Sequence, residues 1–206
     1  PWMPPVTDGS GRDRRPLREA AALLRAAGWT VTDGVLTDAT GTPFRFEILL
    51  RRRANEKIAI AFARNLERLG IAANVRLVES AQFQQQVNDY DFDMVFGRWG
   101  VGLSPGNEQY NYWSSEVADA PGGRNWAGIA DPAVDAAIAA LGDARTRDDL
   151  RDAARALDRV LMANDYTIPL YHVPTVRLAH WARIGRPATT PVYGPQPMTF
   201  WSTAAE

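Results

Sequence analysis

Chemistry needs side chains that ionise, ligate or attack, and this sequence has few arranged to do so. It holds no cysteine and two histidines, His172 and His180. Thiolate nucleophiles, disulfide scaffolds and cysteine-ligated zinc are therefore excluded. His172 sits in the apolar run IPLYHV, which reads as a packed strand residue rather than a general base. The nucleophile elbow, HExxH, Walker A and GxGxxG patterns are missing. Asp89, Asp91 and Asp93 alternate before a strand and read as solvated charges. DGSGRD, at residues 8–13, has the composition of a calcium loop without the spacing and distal Glu of an EF-hand. With no nucleophile–base pair and no paired carboxylates, the chain reads as a binding protein and not an enzyme, with no metal or cofactor implied.

What remains suits the holding of a solute. Arg51, Arg52 and Arg53 leave one predicted strand and precede a helix start, where orphan N–H groups favour an anion. Arg98, Trp99 and Gly100 leave another strand. A loop-rich stretch over 100–130 follows, rich in glycine, with Tyr110, Tyr112, Trp113, Asn125 and Trp126. Loops of that length within a compact domain are functional or disordered, and aromatic residues argue against disorder. Arg51, Arg53, Arg98, Trp99, Gly100, Tyr110, Trp113, Asn125 and Trp126 are thus the candidate ligand contacts.

The elements that position them follow from periodicity. Residues 1–15 read as coil. Pro16 to Ala27 is a helix with Leu17, Ala20, Ala21 and Leu24 on one face, ended by Gly28. Asp33-Gly34 signals a hairpin. Phe44 to Leu50 is a strand, Glu56 to Leu69 a helix, Ala72 to Val78 a strand, Ala81 to Asn88 a helix capped by Ser80, and Phe92 to Trp99 a strand buried on both faces. This alternation marks a parallel, doubly wound sheet, whose ligands sit beyond the carboxyl ends of the strands. Asp131-Pro132 opens a further helix and Thr146 another, running through Met162. Ile168 to His172 and Thr175 to Trp181 read as two strands, and the Pro-rich tail from Gly185 ends on Phe200-Trp201.

Composition limits the partners. At about 150 residues per domain, 206 residues make one large domain or little more. Twenty-three basic against 24 acidic residues, net charge −1, lack the basic excess of a nucleic-acid binder. No apolar run approaches the roughly 18 residues that span a membrane. The chain begins at Pro1, so a missing leader carries no information.

Six blocks in order then resemble one known family. They are AALLRAAGW (21–29), DGVLTDATGTPFRFEIL (33–49), AIAFARNLERLGI (59–71), FDMVFGRWG (92–100), NWAGIADPAVDAAI (125–138) and ALDRVLMANDYTIPLYH (156–172). Together they are similar to the family 5 periplasmic solute-binding proteins of oligopeptide and dipeptide ABC importers. NYWSSE and DGSGRD look closest to the Yej-type branch. The resemblance implies an α/β, periplasmic-binding-protein type II-like lobe with a βαβαβ core, extra helices and a C-terminal return segment. It implies an entry linker over 1–15, the second lobe over 16–167, and a crossover and tail over 168–206 returning to a first lobe absent from this chain. The implied partners are a peptide or peptide-like ligand and an inner-membrane ABC permease, with no nucleic acid, and the implied location is the periplasm. In many family members an Asp three residues after the Trp of the FDM-type strand pairs with the peptide amino terminus. Here Gly102 holds that position, and Glu108 is the nearest downstream carboxylate. The alternative is an effector-sensing domain of a bacterial transcription regulator.

Overall fold

Pro16 lies in the first helical turn, where a missing N–H costs nothing, and α1 spans Arg15–Ala26. Leu17, Ala20, Ala21 and Leu24 form its half-buried side, as their spacing predicts. Gly28 ends the helix in the left-handed region at φ +90°. The Gly28 N–H donates to Arg25 O and the Trp29 N–H to Leu24 O, both at 3.0 Å, which satisfies carbonyls the helix leaves open. These elements come from a computed structural model that describes residues 5–11, 13–100, 102–171 and 175–203.

Asp33 and Gly34 both have positive φ, the requirement of a type I′ turn. They join β1 (Thr30–Thr32) to β2 (Val35–Thr37) in an antiparallel hairpin. Then come β3 (Arg45–Leu50), α2 (Glu56–Glu67), β4 (Ala72–Leu77), α3 (Ser80–Asn88) and β5 (Met94–Val95). The strands form one parallel sheet in the order β4–β3–β5. β3 is central, which explains its unbroken apolar run. Ile48 and Leu50 pack with Ala59 of α2 on one face of the sheet, while Leu49 packs with Phe83 and Val87 of α3 on the other.

Two expectations in this region change. Ser80 is the first residue of α3 rather than its cap; Glu79 holds the cap position and makes no side-chain cap bond. The third strand is far shorter than Phe92 to Trp99. Its pairing is limited to Ile48↔Met94 and Leu49↔Val95. The reason lies on both sides of the pair. The Asp93 carboxylate accepts the Glu47 N–H at 2.8 Å, replacing a strand–strand bond. After Phe96, Gly97 lets the chain pass beneath two indole rings: a Cβ there would lie 3.0 Å from the Trp99 ring and 3.2 Å from the Trp126 ring.

The 100–130 stretch holds one short helix, α4 (Glu108–Trp113), and a 3-10 turn at Ser115–Val117. α5 (Pro132–Asp143) begins at Asp131, whose carboxylate accepts the Ala133 N–H at 2.8 Å. α6 (Arg147–Ala163) begins at Thr146, which exchanges two bonds with Asp149: the Asp149 N–H donates to Thr146 Oγ1 at 3.1 Å and the Thr146 N–H to Asp149 Oδ2 at 3.0 Å. Val134, Ala137 and Leu141 of α5 close on Leu157 of α6 and on Ile129, forming a core separate from the sheet's.

The chain divides into two compact units, Pro1–Thr167 and Ile168–Glu206. In the second, β6 (Ile184–Gly185) pairs antiparallel with β7 (Trp201–Ser202), and a 3-10 turn covers Pro197–Thr199. The two strands expected over 168–181 are not formed among the described residues. Ile168, Leu170, Tyr171, Val176, Leu178 and Trp181 are exposed there. A strand exists only when a neighbour takes its N–H and C=O groups, and alternation alone supplies none. His172 lies outside the described residues. No helix among the described residues is long and apolar enough to cross a membrane.

Candidate functional site

The carboxyl ends of β3 and β5 deliver the predicted residues to one edge of the sheet. From β5 the chain reaches Trp99, which meets two further indoles. Its ring centroid lies 4.8 Å from that of Trp113, with planes at 39°, and 5.6 Å from that of Trp126, with planes at 44°. These are tilted, edge-biased contacts of the kind the ring quadrupole favours. Each indole N–H is spent locally. Trp99 Nε1 donates to Arg124 O at 3.1 Å, Trp113 Nε1 to Gln109 Oε1 at 2.9 Å, and Trp126 Nε1 to Gly123 O at 3.2 Å.

The cluster joins two cores. Trp113 packs against the α5–α6 core and Trp126 against the Leu49–Phe83–Val87 core. Trp99 therefore bridges them, half-buried, with the remaining ring surface open. Gly100 continues the bridge, its carbonyl accepting the Tyr112 hydroxyl at 3.0 Å. All three tryptophans of the sequence reading are thus brought together with Gly100.

The other candidates are placed differently. The Arg51 guanidinium lies 5.5 Å over the Phe83 ring. Arg53 and Arg98 are exposed. Tyr110 is half-buried, and a hydrogen bond with Glu116 pushes its phenol up. The sequence reading counts Asn125 among the candidate ligand contacts, and the structure turns its side chain inward. Asn125 is fully buried. Its Nδ2 donates to Ser114 O at 3.0 Å and Ile129 O at 2.9 Å, while its Oδ1 accepts the Ile129 N–H at 2.9 Å. This amide closes the loop beneath the tryptophans.

Glu108 faces its own loop. Its Oε1 accepts the Gly106 N–H at 3.0 Å and the Gln109 Nε2 at 3.2 Å. The Glu108 and Gly106 backbone N–H groups hold its carboxyl below the usual carboxylate range. A depressed native value means that the unfolded chain binds more protons at acid pH. The stabilisation is present above the ordinary carboxylate range and is lost as pH falls through the lowered native value. On acidification through that window, the near-UV circular dichroism of the tryptophan cluster should weaken, and Glu108→Gln should flatten that part of the titration. An unchanged titration in the variant would remove Glu108 from control of the loop.

Asp89, Asp91 and Asp93 do not converge. Asp89 takes Gln85 Nε2, Asp91 takes Gln86 Nε2, and Asp93 takes the Glu47 N–H. Among the described residues, no group of three His, Asp or Glu side chains could hold a metal ion. Two open depressions of about 740 and 800 Å³ lie elsewhere, one between residues 103–105 and the start of α6, the other at the amino-terminal edge of β3 and β4. Neither is lined by a candidate ligand contact.

Arg124, Tyr112 and Phe83 touch the candidate residues and are not among the contacts the sequence suggests. Arg124 lies 5.2 Å over the Tyr112 ring. Its one sequence signal is adjacency to Asn125 and Trp126, and nothing local shows which ring it covers.

Residues 1–120 match the profile of bacterial extracellular solute-binding proteins, family 5 Middle. The chain belongs to this family. A binding protein of Brucella suis biovar 1 is 52% identical over 203 residues, covering 98% of this chain and 33% of that protein. The peptidoglycan-binding protein YepA of Agrobacterium fabrum is 41% identical over 202 residues, covering 98% and 33%. YejA of Escherichia coli is 34% identical over 202 residues, covering 97% and 33%, in keeping with a Yej-type member of family 5. The chain spans about a third of the length of the curated relatives it matches. Among solved structures, the oligopeptide-binding protein AppA of Bacillus subtilis, in complex with a nonapeptide, superposes with a TM-score of 0.65 at 22% identity, covering 72% of this chain and 30% of that one. That likeness speaks for the fold, a periplasmic-binding-protein type II-like lobe.

Proposed function

We propose that this family 5 chain supplies one wall of a solute-capture cleft in the periplasmic component of an ABC importer, and that the solute is a peptide or peptide-like molecule. The observation that carries the reading is the Trp99–Trp113–Trp126 cluster at the carboxyl edge of a parallel sheet, packed below and open above. Parallel α/β sheets take their ligands at this edge. Rigid indoles with their N–H groups already satisfied offer apolar surface to a backbone or ring without losing hydrogen bonds. Two Agrobacterium fabrum relatives, YepA and YejA, are named for binding peptidoglycan and peptide, which supports the solute class.

In this reading residues 16–167 form the second lobe, residues 1–15 lead into it, and residues 168–206 return to a first lobe. The exposed Tyr193, Met198 and Trp201 then find their partners there. The lobes close on the solute by hinge motion, and the inner-membrane permease selects the closed state.

Calorimetry against a mixture of tripeptides to nonapeptides tests the proposal. The intact native protein should bind with a Kd of about 1 μM or tighter, equivalent to about 8 kcal/mol. This 206-residue chain by itself should bind at least about a hundred-fold more weakly, because one wall leaves the solute half solvated. Equal affinity would overturn the cleft, and no peptide binding by the intact protein would overturn the solute class.

A further inference from the structure

Most arginines that have a carboxylate partner lie away from the tryptophan edge. Among the described residues, those in ion pairs are Arg15, Arg76, Arg151 and Arg155. Three others lie over aromatic rings, one of them, Arg183 over Trp181 at 5.9 Å, in the second unit and the other two beside the tryptophans. Arg51 lies over the Phe83 ring, centroid distance 5.5 Å, and Arg124 over the Tyr112 ring at 5.2 Å. Both residues are exposed, and neither guanidinium has a carboxylate partner among the described residues.

The two are linked through the site. Phe83 belongs to the core against which Trp126 packs. Trp126 meets Trp99, Trp99 meets Trp113, and Trp113 meets Tyr112 at a centroid distance of 6.3 Å. The Arg124 carbonyl also accepts the Trp99 indole N–H. A series of contacts through the tryptophans thus connects the two ring-stacked arginines.

Stacking on a ring fixes the plane of a guanidinium while leaving its N–H edge free. That edge matches a carboxylate through two parallel charge-assisted bonds. Because less rotamer freedom remains to be lost, an arginine held this way binds an anion at lower entropic cost than a free one.

Resting on the reading proposed above, we infer that Arg51 and Arg124 are carboxylate anchors beside the tryptophan surface, and that the preferred solutes are acidic peptides carrying two carboxylates. Glu108 does not oppose this assignment directly, since its Oε1 is tied to Gly106 and Gln109 within its own loop.

The test compares two probes on the intact native protein by calorimetry, Ala-Glu-Ala with free carboxyl groups and the Ala-Gln-Ala amide, which has the same amino terminus and neither carboxylate. The acid should bind at least about ten-fold tighter, one decade being 1.4 kcal/mol. Arg51→Met and Arg124→Met keep an apolar stem on the ring and remove the charge. Each should shrink the acid-to-amide ratio to about three-fold or less. Arg25→Met, on the last turn of α1, serves as the control and should leave the ratio unchanged. Arg51→Lys and Arg124→Lys keep the charge and lose the fork; they should fall between, and they carry the comparison if a Met variant does not fold. Equal binding of the two probes by the native protein, or an unchanged ratio in the arginine variants, overturns the anchors while peptide capture stands. Failure to bind either probe overturns both.

Discussion

Asn125→Ala should lower the melting temperature by about 12 °C, the largest effect expected of any single substitution in the site. The side chain is fully buried and makes three hydrogen bonds, to Ser114 O, Ile129 O and the Ile129 N–H. Ser114 and Ile129 are themselves buried. Alanine leaves the Ile129 N–H and C=O without partners, each costing about 1–3 kcal/mol when water cannot reach it, and takes one of the two donors from Ser114 O, which keeps the Val117 N–H. A total of about 4 kcal/mol is a large share of the 5–15 kcal/mol that typically holds a fold together. For a chain of this size each kcal/mol moves the midpoint by roughly 2–4 °C. Asn125→Asp sharpens the result. It can keep the acceptor for the Ile129 N–H but sets a carboxylate against two carbonyls, so it should be no more stable than the alanine variant. Scanning calorimetry of both variants decides the matter. A melting temperature within 2 °C of the parent, together with lost peptide affinity, would return Asn125 to the solute contacts.

Trp99→Ala should act on stability and binding together. The ring joins the α5–α6 core, through Trp113, to the sheet core, through Trp126. Each aromatic pair contributes about 0.5–1.5 kcal/mol beyond the area it buries. Adding the indole bond to Arg124 O, the loss comes to about 3 kcal/mol. Without the bridge, the loop carrying Arg124 and Tyr112 is left with Trp126 and the Gly122 N–H bond to Asn88 O to hold it against the sheet, so peptide affinity of the intact protein should fall more than about ten-fold. Trp99→Phe retains one stacked ring and should recover part of both effects. Chemical denaturation and calorimetry on the same preparations separate the outcomes. Lost stability with unchanged affinity would make Trp99 a core residue alone.

Much of the fold was legible in the sequence wherever the governing contacts are local. The α1 stripe and Gly28 stop, the Asp33-Gly34 turn, the Asp131-Pro132 start and the Thr146 cap each depend on residues within about five positions, and the structure places them as their spacing predicts. The alternation of strands and helices likewise follows from a period that each segment carries by itself. Even the tryptophan edge was legible in outline, because strand order decides where loops emerge.

Tertiary structure alone decided the rest. β5 reads as eight residues of strand, yet its pairing is confined to Met94 and Val95, because Glu47 is already satisfied by Asp93 before the pair and the chain passes beneath two indoles at Gly97 after it. Residues 168–181 have strand-like alternation without a ladder, since period carries no information about a neighbour. Asn125 looks like any polar residue in an aromatic loop until Ser114, eleven positions away, closes over it. Arg124 becomes part of the site only because Trp99, 25 positions away in the chain, bonds to its carbonyl. Sequence periodicity measures what a segment can bury. Which ring, amide or guanidinium meets which partner is set by long-range packing, where a change in one contact depends on all the others.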